Sequence, residues 1–321
     1  MAIIIILTCV WGVLAVYFGD SSTSMVQTVI ASIFGLSGLA ALIGLAFTNW
    51  RKRLLSGYVI LFAAILVWWL FITPSNQRIW QPDVAKLAHA DFDGDLMTVH
   101  NIRNFDYRSE FDYQPAYYTK TFDINKLQGI DLISVYWMGP AIAHTMLSFY
   151  FGGNDYLTVS IEARKESTEG YSTIKGFFRQ FELIYIVADE RDLIRLRTNY
   201  RKDPPEEVYI YRLQGPAENG KRLLKEYFKK INELNESPEF YNTLLDNCTT
   251  AIWLRNRVNT HHIPLSWKIL LSGYVPEYLY ESGRLDQQIP FTQLQQQAHV
   301  NSRAHRADQA ADFSTLIRQP N

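Results

Sequence analysis

Three apolar runs without a charged residue, 2–18, 21–50 and 54–77, fill the N-terminal quarter of the chain. Each is long enough to hold a membrane-crossing helix, which takes roughly 17–25 residues. Hydrocarbon offers backbone groups no water to bond, so runs of this kind are restricted to helices that satisfy their own N–H and C=O groups. A buried core helix explains one such run but not three in succession. The start also lacks the basic region of a cleaved signal peptide. Three transmembrane helices are therefore expected within residues 1–77, followed by a separate domain over 78–321.

Orientation follows from the basic residues. Arg51, Lys52 and Arg53 cluster between the second and third runs, whereas the turn around Asp20 has no Lys or Arg. Cytoplasmic loops carry the excess of basic residues. This places the N-terminus in the cytoplasm and everything after Thr73 outside it. A net charge of -1 and a pI near 6.7 give no electrostatic footprint for nucleic acid.

The chain has two cysteines, Cys9 in the first apolar run and Cys248 in the exported part. Their separation predicts no structural disulfide. A lone free cysteine is most often a small buried hydrophobe. In an oxidising compartment, however, an unpaired thiol is a liability unless it does chemistry. Cys248 follows Asp246 and Asn247 and precedes a helix-like run over 249–254. A helix start supplies unpaired N–H groups and a positive dipole end, which lower a thiol's pKa and can hold an oxyanion. Asn247 fits there as an oxyanion donor, as a helix N-cap, or as both.

A thiol nucleophile needs a base, usually histidine. Among the seven histidines, His89, His100, His261, His262, His299 and His305 lie in polar or irregular surroundings, while His144 opens a strand-like run, AIAHTMLSFYF. In the next strand Thr158, Ser160, Glu162 and Arg164 alternate with apolar residues, so one face is polar. A three-residue loop of Gly152, Gly153 and Asn154 sets His144 opposite Glu162, whereas a two-residue loop would oppose it to Ala163. Glu162 would then orient the imidazole and favour its charged form; the competing reading is a surface carboxylate paired with Arg164 or with a cross-strand base. Cys248 with His261 and His262 lacks zinc-site spacing, and neither metal nor cofactor is expected. Asp91–Asp95 is not an EF-hand, since its glycine is misplaced and Ile102 stands where the closing Glu belongs.

Further strand signals at 96–102, 132–137, 181–188 and 208–213 point to an antiparallel sheet. Residues 104–107 read as loop. From 221 to 234 Leu223, Leu224, Tyr227, Phe228, Ile231 and Leu234 share a helix face. Strands followed by helices indicate an α+β domain.

The order His then Cys is the reverse of papain's and occurs in circularly permuted papain-like thiol enzymes. The stretches NIRNFDY from Asn101, AHTMLSF from Ala143, SIEARKE from Ser160, YS at Tyr171, GFFRQFELIYIVADERD from Gly176, VYIYRL from Val208, YNTLLDNCTT from Tyr241 and FSTLIR from Phe313 together resemble the Lnb-type periplasmic domain family. That family is named after a bacterial lipoprotein N-acyltransferase. The resemblance runs from about Trp80 to the end and implies a permuted NlpC-like papain fold in the periplasm, anchored in the bacterial inner membrane. It implies acyl transfer from a phospholipid to the N-terminal amine of a lipoprotein. Cys248 and His144 match the proposed nucleophile and base. Glu162 and Arg164 also match, with Ser160, Asn247 and Arg164 as oxyanion or substrate support. The family's namesake places its membrane segments after the domain, whereas here they come first. The alternatives are a thiol peptidase or amidase acting on cell-wall peptides, and a non-catalytic membrane scaffold in which Cys248 only packs. The oligomeric state is not legible in the sequence.

Overall fold

Each of the three apolar runs contributes a helix in the computed structural model, which describes residues 1–19, 25–47 and 49–319. The helices are α1 (Ala2–Phe18), α2 (Met25–Gly44) and α3 (Arg51–Leu70). α2 and α3 are long and apolar enough to cross a membrane, while α1, at 17 residues, is a shorter apolar helix. The expected three spans thus become two candidate spans and one shorter helix. Asp20, the centre of the expected first turn, lies outside the described residues. Arg51, Lys52 and Arg53 form the first turn of α3 instead of the link before it.

The chain divides into two compact units. The first joins the three helices to Ala163–Leu183 and Pro238–Thr243. Its helical core is built on Ile5, Val16, Ala31, Phe34, Ala41, Tyr58 and Ile65. Gly12 lets the Phe34 ring approach, and Gly38 lets Cys9 approach, where a Cβ would collide. The outward residues Ile3, Ile4, Ile33 and Leu36 are exposed and equally apolar, as suits helices solvated by lipid. Arg179 donates to the last carbonyls of α3, at Trp69 (2.9 Å), Ile72 (3.2 Å) and Leu70 (3.3 Å), and stacks 4.0 Å over the Trp69 ring. The Trp69 carbonyl also accepts from the Ile72 N–H, and Ile72 lies just past the helix; a guanidinium at a helix C-terminus is favoured by hydrogen bonding and by charge.

The second unit comprises Pro82–Glu162, Ile184–Ser237 and Leu244–Asn321. Its strands, apart from the last two residues of β8 and the first two of β9, which fall in the first unit, are β1 (His89–Asp93), β2 (Leu96–Arg103), β3 (Asp106–Tyr107), β4 (Tyr113–Gln114), β5 (Tyr117–Asp123), β6 (Gly129–Tyr136), β7 (His144–Gly152), β8 (Asp155–Arg164), β9 (Glu182–Ala188) and β10 (Glu207–Arg212). Eight of them form one sheet in the order β1-β2-β9-β8-β7-β6-β10, with β5 also paired to β2. The expected antiparallel sheet is mixed instead, because Arg103 of β2 meets Ala188 of β9 in parallel. A parallel neighbour needs only a long connection, and the turn signals between successive strands carry no trace of one. β3, expected as loop, pairs with β4 as a small hairpin beside a cluster of Phe105, Tyr107 and Leu196. Asp91 and Asp93 end β1, and the β1–β2 turn is the two residues Gly94, at φ 61, and Asp95.

After β9, α4 (Glu190–Arg195) runs into a π-helical turn, Leu196–Tyr200. α5 (Ala217–Glu236) buries the expected face, and its Tyr227 ring lies edge-on to Phe149 of β7 and Tyr185 of β9. α6 (Cys248–Asn256) follows, then shorter helices towards the C-terminus. One buried ion pair ties the start of the sheet to α4. Arg103 grips both oxygens of Asp192, which also accepts from the Phe105 N–H and the Tyr107 hydroxyl.

Removing one member of a buried ion pair strands the other charge, at a cost of about 3–5 kcal/mol. Arg103→Ala is therefore expected to lower unfolding stability by that amount in urea titrations followed by circular dichroism. Arg108→Ala, which breaks the exposed Arg108–Asp112 pair, is expected to leave the midpoint in place.

Candidate active site

The β7–β8 hairpin sets the geometry. Its ladder pairs Met146 with Ser160, Leu147 with Val159 and Tyr150 with Tyr156. Continued by two residues, this register sets His144 opposite Glu162, as the parity predicts. The loop is not the expected one. Gly152 pairs with Asp155, so the turn is the two residues Gly153 and Asn154, and a bulge between Tyr150 and Gly152 absorbs the odd position. Gly152 at φ 106 and Gly153 at φ 59 take backbone conformations that glycine adopts without strain. The bulge restores the even register that a two-residue turn alone would have destroyed.

At the mouth of this hairpin His144 is nearly buried, at 9% exposure. Its Nε2 lies 2.7 Å from Ser160 Oγ and 3.1 Å from Glu162 Oε1. The Ser160 hydroxyl donates to the same carboxylate oxygen at 2.6 Å. Ser160 thus sits as a relay between ring and carboxylate, a closer role than substrate support. With Nε2 engaged there, Nδ1 is the ring nitrogen left for a partner on the other side. The Cys248 thiol is the group coupled electrostatically to the imidazole from there.

α6 carries the thiol on its first residue. Asn247 Oδ1 accepts from the Thr249 and Thr250 N–H groups, both at 2.9 Å, and the Thr250 hydroxyl returns to the Asn247 N–H at 3.0 Å. This is a complete capping box. Asn247 therefore takes the capping role, and it occupies the neighbouring helix-start donors expected to share an oxyanion. The Cys248 N–H is the helix-start donor that the cap does not take. The Thr249 hydroxyl lies 3.7 Å from the sulfur and 2.9 Å from the Thr145 hydroxyl, which fixes α6 to β7.

Glu162 does not pair with Arg164. Arg164 stacks 4.1 Å over the Trp80 ring and donates to Asn76 within the first unit. Glu162 instead accepts from Arg197 at 3.0 Å, and Arg197 in turn reaches Glu206. Thr145, Thr249, Arg197 and Glu206 all escaped the sequence reading. Thr145 is next to His144 but has the opposite strand parity, and Arg197 comes from the π turn, which has no local sequence signature.

These contacts set the charges. Burial pushes the His144 imidazole down, but the Glu162 carboxylate, opposed in part by Arg197, and the Cys248 thiol raise it to about 9. Burial pushes the Cys248 thiol up, yet the imidazolium and the hydrogen bonds from His144, Thr145 and Thr249 lower it to about 7. Burial likewise opposes ionisation of Glu162, and His144 and Arg197 hold it well below the ordinary carboxylate range. Between about pH 7 and 9 the pair is thiolate and imidazolium, a nucleophile with a proton donor beside it. Among the described residues no group of three or more His, Cys, Asp or Glu side chains is arranged to hold a metal ion.

A family model described as the Lnb N-terminal periplasmic domain matches residues 113–273, half of the chain and the stretch that contains both His144 and Cys248. No curated protein and no solved structure matches the chain.

Alkylation of Cys248 by iodoacetamide, with peptide mapping to separate it from Cys9, is expected to titrate with an apparent pKa of about 7. Below that pH the thiolate, and with it the rate, falls about tenfold per unit. In His144→Ala the lowering charge is gone and burial remains, so the midpoint should rise past the ordinary thiol value of 9.0. An unmoved midpoint would show that the two side chains are not coupled. Glu162→Gln removes the largest influence raising the imidazole, so the imidazolium should lose its proton below about 9, read by nuclear magnetic resonance of the ring.

Proposed function

The chain belongs to the Lnb N-terminal periplasmic domain family, and on that premise we propose that it is a membrane-anchored, cysteine-dependent acyltransferase. In this reading the apolar helices α1–α3 hold it in the bacterial inner membrane with the N-terminus in the cytoplasm. The domain that follows faces the periplasm and has a permuted papain-like design, in which a strand-borne histidine precedes a helix-borne thiol. The donor is a phospholipid and the acceptor is the N-terminal amine of a lipoprotein. The observation that carries the reading is the electrostatic coupling of Cys248 to His144, whose ring is held by Ser160 and Glu162.

The chemistry follows from the charges. The Cys248 thiolate attacks the carbonyl carbon of the phospholipid ester, and the resulting oxyanion meets the Cys248 N–H at the positive end of α6. The ester C–O bond then breaks. The lysolipid oxygen takes the proton of imidazolium His144, leaving a thioester and a neutral imidazole. The lipoprotein amine attacks the thioester and gives its proton to His144, and the C–S bond breaks to form the amide and restore thiolate and imidazolium. Glu162, fixed by Ser160 and Arg197, stabilises the imidazolium at the start and end of the cycle.

Cys248→Ala, expressed in cells lacking other lipoprotein N-acyltransferases, is expected to leave lipoproteins diacylated when their N-termini are read by mass spectrometry. In purified form Cys248→Ser should lose at least about 10³-fold in rate. Restoration of the third acyl chain by the alanine variant would end the proposal. Cleavage of cell-wall peptides by the wild type, with no action on phospholipid, would assign an amidase instead.

A further inference from the structure

Large apolar side chains stay in solvent on the chain segments that lead to the Cys248–His144 pair. Met138, in the turn that enters β7, is 68% exposed, and Leu245, just before the capping box of α6, is 72% exposed. The short helix α7 (Trp267–Leu270) adds a third group. Trp267, Leu270 and Leu271 are exposed and follow the i, i+3, i+4 spacing of one helix face, whereas Ile269 between them is buried. Leu265, just ahead of the helix, is exposed as well.

α7 and the approach to His144 are joined backbone to backbone. The Gly273 N–H donates to Ala141 O at 3.0 Å, the Ala143 N–H donates to Ser272 Oγ at 2.9 Å, and the Tyr136 hydroxyl donates to Gly273 O at 2.7 Å. A Cβ on Gly273 would run into the Pro140 carbonyl, so no larger residue permits this contact. Met138 and the apolar face of α7 therefore share one rim, ending one residue from His144. The turn 137–143 contains no charged residue. Lys268, the one cation of α7, is drawn off to Glu277 (3.2 Å) and Glu281 (2.7 Å).

Single exposed leucines are ordinary on a protein surface, but an apolar cluster beside a reactive pair marks a docking face. We propose that this rim, with Trp267 at its centre, seats in the interfacial layer of a lipid bilayer, so that an acyl ester passes from lipid to Cys248 without crossing water. The proposal rests on the acyl-transfer reading and names the surface that serves it. A bilayer is favoured over other occupants because the same chain carries α2 and α3, both fit to cross one, joined covalently to the domain through residues 71–81. That tether keeps a lipid surface at high effective concentration. Indole side chains are also enriched at membrane interfaces, where their apolar body and polar N–H are both satisfied.

The test uses the full chain in nanodiscs of phosphatidylethanolamine and phosphatidylglycerol. A spin label is placed at Leu271→Cys, or at Gln288→Cys as an exposed reference, in a Cys9→Ala, Cys248→Ser background. The label at 271 is expected to relax more with oxygen than with a water-soluble nickel chelate, and the label at 288 the reverse. Water-like relaxation at 271 would overturn the proposal, as would spin–spin broadening, which would mean that a second copy covers the face. In a companion variant Trp267, Leu270 and Leu271 are changed to serine with both cysteines kept. Acylation of Cys248 by phospholipid should fall at least about tenfold, while its alkylation by iodoacetamide is unchanged. A lipid-exposed label with no transfer by any form sinks the acyltransferase reading alone. Transfer by the wild type with a water-exposed label sinks the docking surface alone.

Discussion

The site is organised by alternation of charge in a place where charge is costly. Cys248, His144, Glu162, Arg197, Glu206, Arg201 and Glu110 form a row in which each member meets the opposite sign. Glu162–Arg197 is 3.0 Å, Arg197–Glu206 3.4 Å, Glu206–Arg201 3.0 Å and Arg201–Glu110 3.3 Å. Arg197 and Glu206 have side-chain exposures of 5% and 8%, where an isolated ion would cost several kcal/mol. No member can be placed alone. The row therefore fixes α6, β7, β8, the π turn and the chain just before β10 relative to one another.

A second polar cluster lies further along the same strands and has a different job. Ser148 donates to Glu190, Thr158 donates to Ser148, and Arg318 bridges Glu190 and Asp131 while stacking over the Tyr156 ring. This brings the C-terminal segment onto the polar face of β7 and β8. Burial of that face needs every lone pair answered, and a single guanidinium from the chain end answers two carboxylates. On the opposite face the contacts are apolar, through Phe149 and Tyr227. The hairpin is thus held by polar chemistry on one side and by packing on the other.

What the sequence disclosed follows the reach of its regularities. Strand parity has a period of two, and it was enough to align His144 with Glu162, as the helical period was enough to show the face that α5 buries. The same parity led to the wrong loop, and the result survived because a glycine bulge offset the shorter turn. Arg164 shares the parity of Glu162 but belongs to the other compact unit, since alternation fixes the face and says nothing of where along the fold a strand changes company. Arg197 could not be found, because its approach depends on a π turn and on the parallel neighbour of β2, both set by packing between distant segments. The apolar helices were legible from composition, and the first ends at Phe18 where its uncharged run ends.

The electrostatic coupling between Cys248 and His144 works in both directions. The imidazolium lowers the thiol, and the thiolate is among the charges that keep the ring protonated. Any reaction that caps the sulfur with a neutral group erases that second influence, while Arg197 goes on opposing protonation of the ring. The histidine of a modified enzyme is hence a weaker holder of protons than that of the free enzyme. The site changes its own acidity at the moment it is loaded, turning a proton donor into an acceptor with no moving part.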